Sequence, residues 1–118
     1  AGHAGLFGTA AAVGACARWW LTSPALETFA RKSATPGSSR ALGWDTMLPT
    51  SSCGSRLSSK AIGHTGFTGT SLWIDPEQDL YVVLLSNRVH PSRHGDGIQE
   101  TRRALHDAVV NDLVRPAP

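Results

Sequence analysis

Gly63-His64-Thr65-Gly66-Phe67-Thr68-Gly69-Thr70-Ser71-Leu72-Trp73-Ile74 reads as a glycine-spaced strand running into a second strand. Asp75-Pro76-Glu77-Gln78-Asp79 then makes a turn, and Leu80-Tyr81-Val82-Val83-Leu84-Leu85-Ser86-Asn87 makes a third strand. Glycine weakens a strand. It marks a close approach of another backbone or a ligand, or else a bulged edge strand that only needs a bend. Glycines at spacing three with threonines between them leave both readings open.

Upstream, Thr9 is a suitable N-cap for a helix through Ala10 to about Leu21. Its apolar face holds Val13, Ala17, Trp20 and Leu21, Arg18 points away, and Gly14 weakens it modestly. Ser23-Pro24 starts a second helix with Leu26, Phe29 and Ala30 as its buried stripe, and Arg31-Lys32 suit its C-terminal end. Leu42 to Met47 reads as a short strand, and Leu48 to Lys60 as a polar loop of the kind that is a binding loop or mobile. The strand from Leu80 is apolar on both faces and is expected inside a sheet covered on each side. After a crossover loop from Asn87 to Gly97, an amphipathic helix from Ile98 to Val114 is expected to turn Ile98, Leu105, Ala108, Val109 and Leu113 toward the sheet. Arg102, Arg103, His106 and Asp107 then fall in solvent, and Pro116 stops the helix. This pattern is α+β: an antiparallel sheet of three to four strands packed by helices. The chain reads as one partial domain over 1–118, with a helical and loop part over 1–60 and the sheet plus a C-terminal helix over 61–118.

Composition narrows the function classes. At 118 residues, 41% hydrophobic and 17% charged, the chain has material for a core and no disorder-type charge excess. A net charge of +2 with scattered arginines gives no nucleic-acid stripe. No apolar run reaches the length of a membrane span, and the first residues are no signal peptide. Cys16 and Cys53 match neither a zinc nor a redox spacing, which leaves two thiols or one disulfide. His90 and His94 lie four apart in a loop holding Pro and Gly rather than on a helix, so no metal or other cofactor is expected. The opening Ala1-Gly2-His3-Ala4-Gly5-Leu6-Phe7-Gly8 reads as an internal turn before a helix rather than a natural start.

His64-Thr65-Gly66 followed by Phe67-Thr68-Gly69, an apolar strand, an acidic-Pro turn and a strand ending in Ser86-Asn87 resembles the third motif of the penicillin-recognising serine hydrolases. That family includes class C-type β-lactamases, D-alanyl-D-alanine carboxypeptidases and related esterases. The usual triplet is Lys-Thr-Gly, and His-Thr-Gly resembles the class C-like and esterase branches. Ala1 to Ala10 and Ala41-Leu42-Gly43-Trp44 look like two further landmarks, so the resemblance covers nearly the whole chain in order. It implies the C-terminal part of an incomplete β-lactamase/transpeptidase-like fold about three times this length. Missing N-terminal strands would leave a sheet edge or face exposed unless another chain covers it. The family is often periplasmic or secreted; the compartment of this chain stays open.

Acyl transfer needs a nucleophile, a group that activates it, and donors aimed at the developing oxyanion. In the family these come from Ser-x-x-Lys and a Tyr-x-Asn or Ser-x-Asn motif. No serine from Ser23 to Ser92 has a lysine three positions on, and Tyr81 is followed two positions later by Val83. By resemblance, the Phe67 backbone N–H would give one oxyanion-hole bond, and Thr65 and Thr68 would contact a substrate carboxylate or polar neighbours. Gly66 completes the triplet. His64 replaces the usual lysine and is a weaker electrostatic anchor for a carboxylate, which leans toward amide or ester hydrolysis of other small molecules. His64 is either a pocket residue or a residue bonded within the sheet, and Asn87 a turn residue or a substrate contact. Three functions follow: a hydrolase segment lacking its nucleophile, a binding or self-association module using the exposed sheet, or an unrelated chemistry recruited on the Leu48–Lys60 loop or the His64 wall.

Overall fold

In the computed structural model, residues 4–114 are described; Ala1–His3 of the opening turn, and the expected stop at Pro116, lie outside them. The elements are α1 (Ala10–Thr22), α2 (Ala25–Phe29), β1 (Asp45–Thr46), β2 (Ile62–Thr65), β3 (Ser71–Asp75), β4 (Leu80–Leu84) and α3 (Ile98–Leu113). The strands form one antiparallel meander in the order β1-β2-β3-β4. The fold is therefore α+β, as the alternation of patterns predicts.

Period-2 alternation divides the core. On one face, Ile62 and Ile74 meet Ala17 of α1, with Trp20, Leu21, Leu26, Trp44 and Tyr81 packed around them. On the other, Trp73 meets Val110 of α3 together with Cys53, Leu57 and Ala61. Each fully buried side chain of this size contributes about 1.5–3 kcal/mol, so Trp73, Ile62 and Ile74 dominate the two layers. Both faces of β4 are covered, as its apolar run predicts, yet the strand sits at the border of the sheet: β3 is its only strand partner among the described residues.

Thr9 caps α1 through its hydroxyl, which accepts from Ala12 N–H at 3.2 Å. Gly14 is more than a weak helix residue: the Tyr81 ring packs where its Cβ would stand, so glycine lets α1 approach β4. Arg18, expected in solvent, donates to the Tyr81 hydroxyl at 3.0 Å.

Three expectations change. The strand over Leu42–Met47 shrinks to Asp45–Thr46, because Gly43 takes φ +77° in a tight turn that brings Arg40 opposite Asp45. The Leu48–Lys60 loop is fastened at both ends. Asp75, fully buried, accepts from the Ser58 N–H and hydroxyl at 2.6 Å each, while Asp107 accepts from Ser55 N–H at 2.7 Å and Arg56 N–H at 3.0 Å. Arg103 adds a bond to Ser51 O at 2.6 Å. The loop thus supplies Cys53 and Leu57 to the core.

The third correction concerns α3, whose buried stripe is Arg102, His106 and Val110. Ala108 and Leu113 are exposed and Ile98, Leu105 and Val109 only half-buried, whereas Arg103 and Asp107 are half-buried. Polar partners on the loops, rather than hydropathy, set the rotation of this helix.

Candidate active site

β1 pairs only with Ile62 and Gly63 of β2. Beyond it, His64 and Thr65 keep β3 on one side, in register with Leu72 and Ser71, and have no strand on the other among the described residues. The glycine-spaced segment therefore leaves the sheet as a ledge and closes through a turn over 66–70. Gly66 N–H donates to Thr70 O at 2.8 Å and Gly69 N–H to Gly66 O at 3.1 Å.

Each glycine has a local structural reason. The Trp73 indole covers Gly63, the Thr70 hydroxyl lies against Gly66, and Gly69 takes φ +116° beside Ser86, whose hydroxyl donates to Gly69 O at 2.7 Å. Both readings of these glycines find a counterpart: backbone comes close at Gly63, where Leu72 O lies, and at Gly69, where Arg88 N lies, and Gly69 also bends the chain at the strand edge.

His64 is exposed, and its Nδ1 lies 2.9 Å from Thr65 O. A carbonyl can only accept, so Nδ1 donates to it. The imidazole is thus tied locally and also open to the surface. His64, Thr65 and Gly66 line a groove of about 680 Å³ whose opposite wall is residues 6–8 and α1. Leu6 and Phe7, 88% and 98% exposed, stand at its lip. Ser71 also lines it; its hydroxyl is buried and has no hydrogen-bond partner among the described residues.

Phe67 and Thr68 lie past the groove, both exposed. Their carbonyls are held from behind by Arg88, whose Nε donates to Phe67 O at 2.6 Å and whose backbone N–H donates to Thr68 O at 2.8 Å. The Arg88 guanidinium also stacks 4.4 Å from the centre of the Phe67 ring. The Phe67 N–H donates to no described residue. The structure thus gathers His64, Thr65 and Gly66 along one wall and sets Phe67 and Thr68 at its end.

Thr65 also borders a second, polar pocket of about 200 Å³, which Ser51, Ser52 and Gln99 help to line. The Ser52 hydroxyl accepts from the Trp73 indole N–H at 3.2 Å and keeps its own proton to donate. The serine-rich loop is thus both structural and pocket-lining. A larger cavity, about 830 Å³, lies at the opposite end of the sheet beside Pro76 and Glu77 and is lined by none of these residues. Its size does not place the chemistry there, since it lacks the open amide and the ledge.

Three neighbours of the site escape sequence reasoning. Arg102, 3% exposed, donates through Nη2 to Gly66 O at 2.9 Å and Thr70 O at 2.7 Å. Burial lowers its pKa, and the charge of Arg88 adds to the effect. Ser71 and Cys16 both face the groove. Cys16 and Cys53 are both free, which decides between the two cysteine readings; burial pushes the Cys53 thiol up to about 12. His90 and His94 sit exposed in the crossover loop, and no cluster of three His, Cys, Asp or Glu able to hold a metal ion occurs among the described residues. Asn87 accepts from Val89 N–H at 3.2 Å, a turn contact. No helix among the described residues is long and apolar enough to cross a membrane.

Comparison with known proteins bears on the family and the fold. Two Escherichia coli proteins (strains K12 and O157:H7), named provisionally as D-alanyl-D-alanine carboxypeptidases, are each 33% identical over 108 residues, covering 75% of this chain and 24% of their own length. The chain therefore spans about a quarter of the length of these curated relatives. A β-lactamase crystal structure from Mycobacterium bovis superposes with a TM-score of 0.73 at 23% identity, over 88% of this chain and 44% of that one, and so shares the fold. The Beta-lactamase family model matches residues 1–106, and the chain belongs to the Beta-lactamase family of serine hydrolases.

Proposed function

We propose that the ledge from His64 to Thr68 is one wall of an acyl-serine hydrolase site acting on amide or ester bonds of small molecules. The attacking serine and its lysine would be supplied by polypeptide outside these 118 residues, which hold no Ser-x-x-Lys. On this reading 1–118 is part of a single larger domain. One observation carries it: the exposed Phe67, whose N–H has no acceptor among the described residues, at the end of a strand edge that borders a groove. A preorganised amide of this kind stabilises an oxyanion best where it has no other bond to break.

Thr65 and Thr68 offer hydroxyls to polar substrate groups, and Gly66 lets the chain turn. His64 contributes a hydrogen-bonding imidazole in place of an ammonium, which favours substrates without a carboxylate at that point over the D-alanyl-D-alanine peptides in the relatives' names. The chain alone should not turn over nitrocefin or p-nitrophenyl acetate at an enzymatic rate. A chimera in which it replaces the matching stretch of the Escherichia coli relative should give an acyl-serine burst with one of them. Saturable turnover with a covalent acyl-serine on the isolated chain, or a folded chimera with no burst, would contradict the proposal.

The open border of β4 favours a second reading, a non-catalytic binding or self-association module. Leu85, just past β4, is 44% exposed, and β4 carries only β3. An added strand from a copy or a complementing segment would pair there. Sedimentation of a folded monomer with no association at any accessible concentration would remove this reading.

A further inference from the structure

The carbonyl of Gly66 and the N–H of Phe67 belong to one peptide unit. His90–Pro91 is the one cis bond among the described residues, so the Gly66–Phe67 bond is trans and its C=O and N–H point in opposite directions. Whatever fixes the Gly66 oxygen therefore aims the Phe67 amide. Two donors fix it: Gly69 N–H at 3.1 Å and Arg102 Nη2 at 2.9 Å. The same Nη2 reaches Thr70 O at 2.7 Å, which Gly66 N–H also meets at 2.8 Å. One buried guanidinium nitrogen thus bridges the two ends of the turn.

We propose that Arg102 is a positioning residue: from the far side of the turn it holds and polarises the Gly66–Phe67 peptide unit, so that the Phe67 N–H stands pre-aimed for an anionic oxygen. This rests on the oxyanion role given to Phe67 above. A cationic donor on a carbonyl draws electron density through the amide and makes its N–H a stronger donor, because bonds in a chain polarise one another. Arg102 hydrogen-bonds no groove residue's side chain among the described residues; its two bonds run to the carbonyls of Gly66 and Thr70. The adjoining Phe67 carbonyl is held by Arg88 at 2.6 Å, so both flanks of the residue are immobilised while its N–H stays free. A guanidinium suits this task better than an ammonium, since its charge and planar donors stay fixed in direction.

The test is amide NMR of the 118-residue chain as wild type, Arg102→Ala and Arg102→Lys. The Trp73 indole N–H and the Val82 amide report whether the sheet is intact. With Arg102→Ala, the Phe67 amide proton is expected to move upfield and the order parameters over 66–70 to fall from about 0.85 to below about 0.6. Millimolar guanidinium ion, filling the vacated space, is expected to return the Phe67 signal toward its wild-type position. Arg102→Lys, which keeps the charge and serves as the variant that folds if alanine does not, is expected to give an intermediate Phe67 shift. A Phe67 amide unmoved in a folded Arg102→Ala or Arg102→Lys chain would overturn the inference, as would a displaced signal that guanidinium fails to restore. This readout needs no turnover. Failure of the chimera to acylate would sink the oxyanion reading while leaving these shifts as expected, so the two failures are distinguishable.

Discussion

Gly63 and Trp73 are paired directly across β2 and β3, and the indole of Trp73 occupies the space that a Cβ on Gly63 would need. The strand leading to the ledge is therefore set by a packing contact in the α3-side core. Gly63→Ala is expected to lower stability by about 1–3 kcal/mol, the usual cost of overpacking. Urea unfolding followed by tryptophan fluorescence measures it. A change below about 0.5 kcal/mol, the scatter of neutral surface substitutions, would show that the indole relaxes freely.

Asp75 ties the serine-rich loop to the turn after β3. It is fully buried, and besides both donors of Ser58 it accepts from Glu77 N–H at 3.0 Å and Gln78 Nε2 at 3.0 Å. Asp75→Ala strips several buried donors of their acceptor at once, so a loss of about 3 kcal/mol or more is expected, in the range of a broken buried network. Hydrogen exchange should show the loss concentrated over 51–61. An effect spread evenly across the sheet would contradict the assignment of Asp75 to the loop.

The sheet was legible because its pattern is local. Alternation in β3, the acidic-Pro turn and the apolar β4 each announce themselves within a few residues, whereas residue type and spacing left the place of the His-Thr-Gly triplet open. The face of α3 was not. Hydropathy puts Leu105 and Leu113 inward, but Arg102 finds two carbonyls 32 and 36 residues upstream, and Arg103 and Asp107 find the loop over 49–56. Those partners are distant in sequence, so no window along the helix contains them. The spacing Arg102, His106, Val110 was the one available signal, and its polar members disguise it as a solvent face.

His106 gives the fold a predicted pH dependence. It is fully buried, and its Nδ1 lies 2.6 Å from Arg102 O. Burial lowers its pKa from the ordinary 6.5; the bond to Arg102 O and the Asp107 charge oppose that shift, and the Arg102 charge adds to it. Above 6.5 the folded and unfolded chains are both neutral at this position, and the stability is fully present. As pH falls below that value the unfolded chain takes up a proton that the folded chain refuses, and stability is lost until the pH reaches the depressed folded value. The midpoint temperature of the wild type should therefore drop between about pH 7 and pH 5, and His106→Leu should flatten that slope. Equal slopes in the two proteins would rule out His106 as the cause.

His64 is expected to tune substrate choice rather than rate. In the acylating chimera, His64→Lys should lower KM for substrates carrying a carboxylate by about tenfold, the worth of a hydrogen bond to a charged group. Neutral esters should change little. A uniform loss for both classes would place His64 in the structure of the ledge instead.

The most direct measurement is made on the chimera after phosphonylation of its serine by a fluorophosphonate, which expels fluoride and leaves a polarised phosphoryl oxygen where the oxyanion forms. The crystal structure should place that oxygen about 2.7–3.1 Å from the Phe67 nitrogen, with the Arg102 bonds to Gly66 and Thr70 intact. A phosphonyl oxygen held by other donors, with the Phe67 N–H still turned to solvent, would contradict the role given to the ledge.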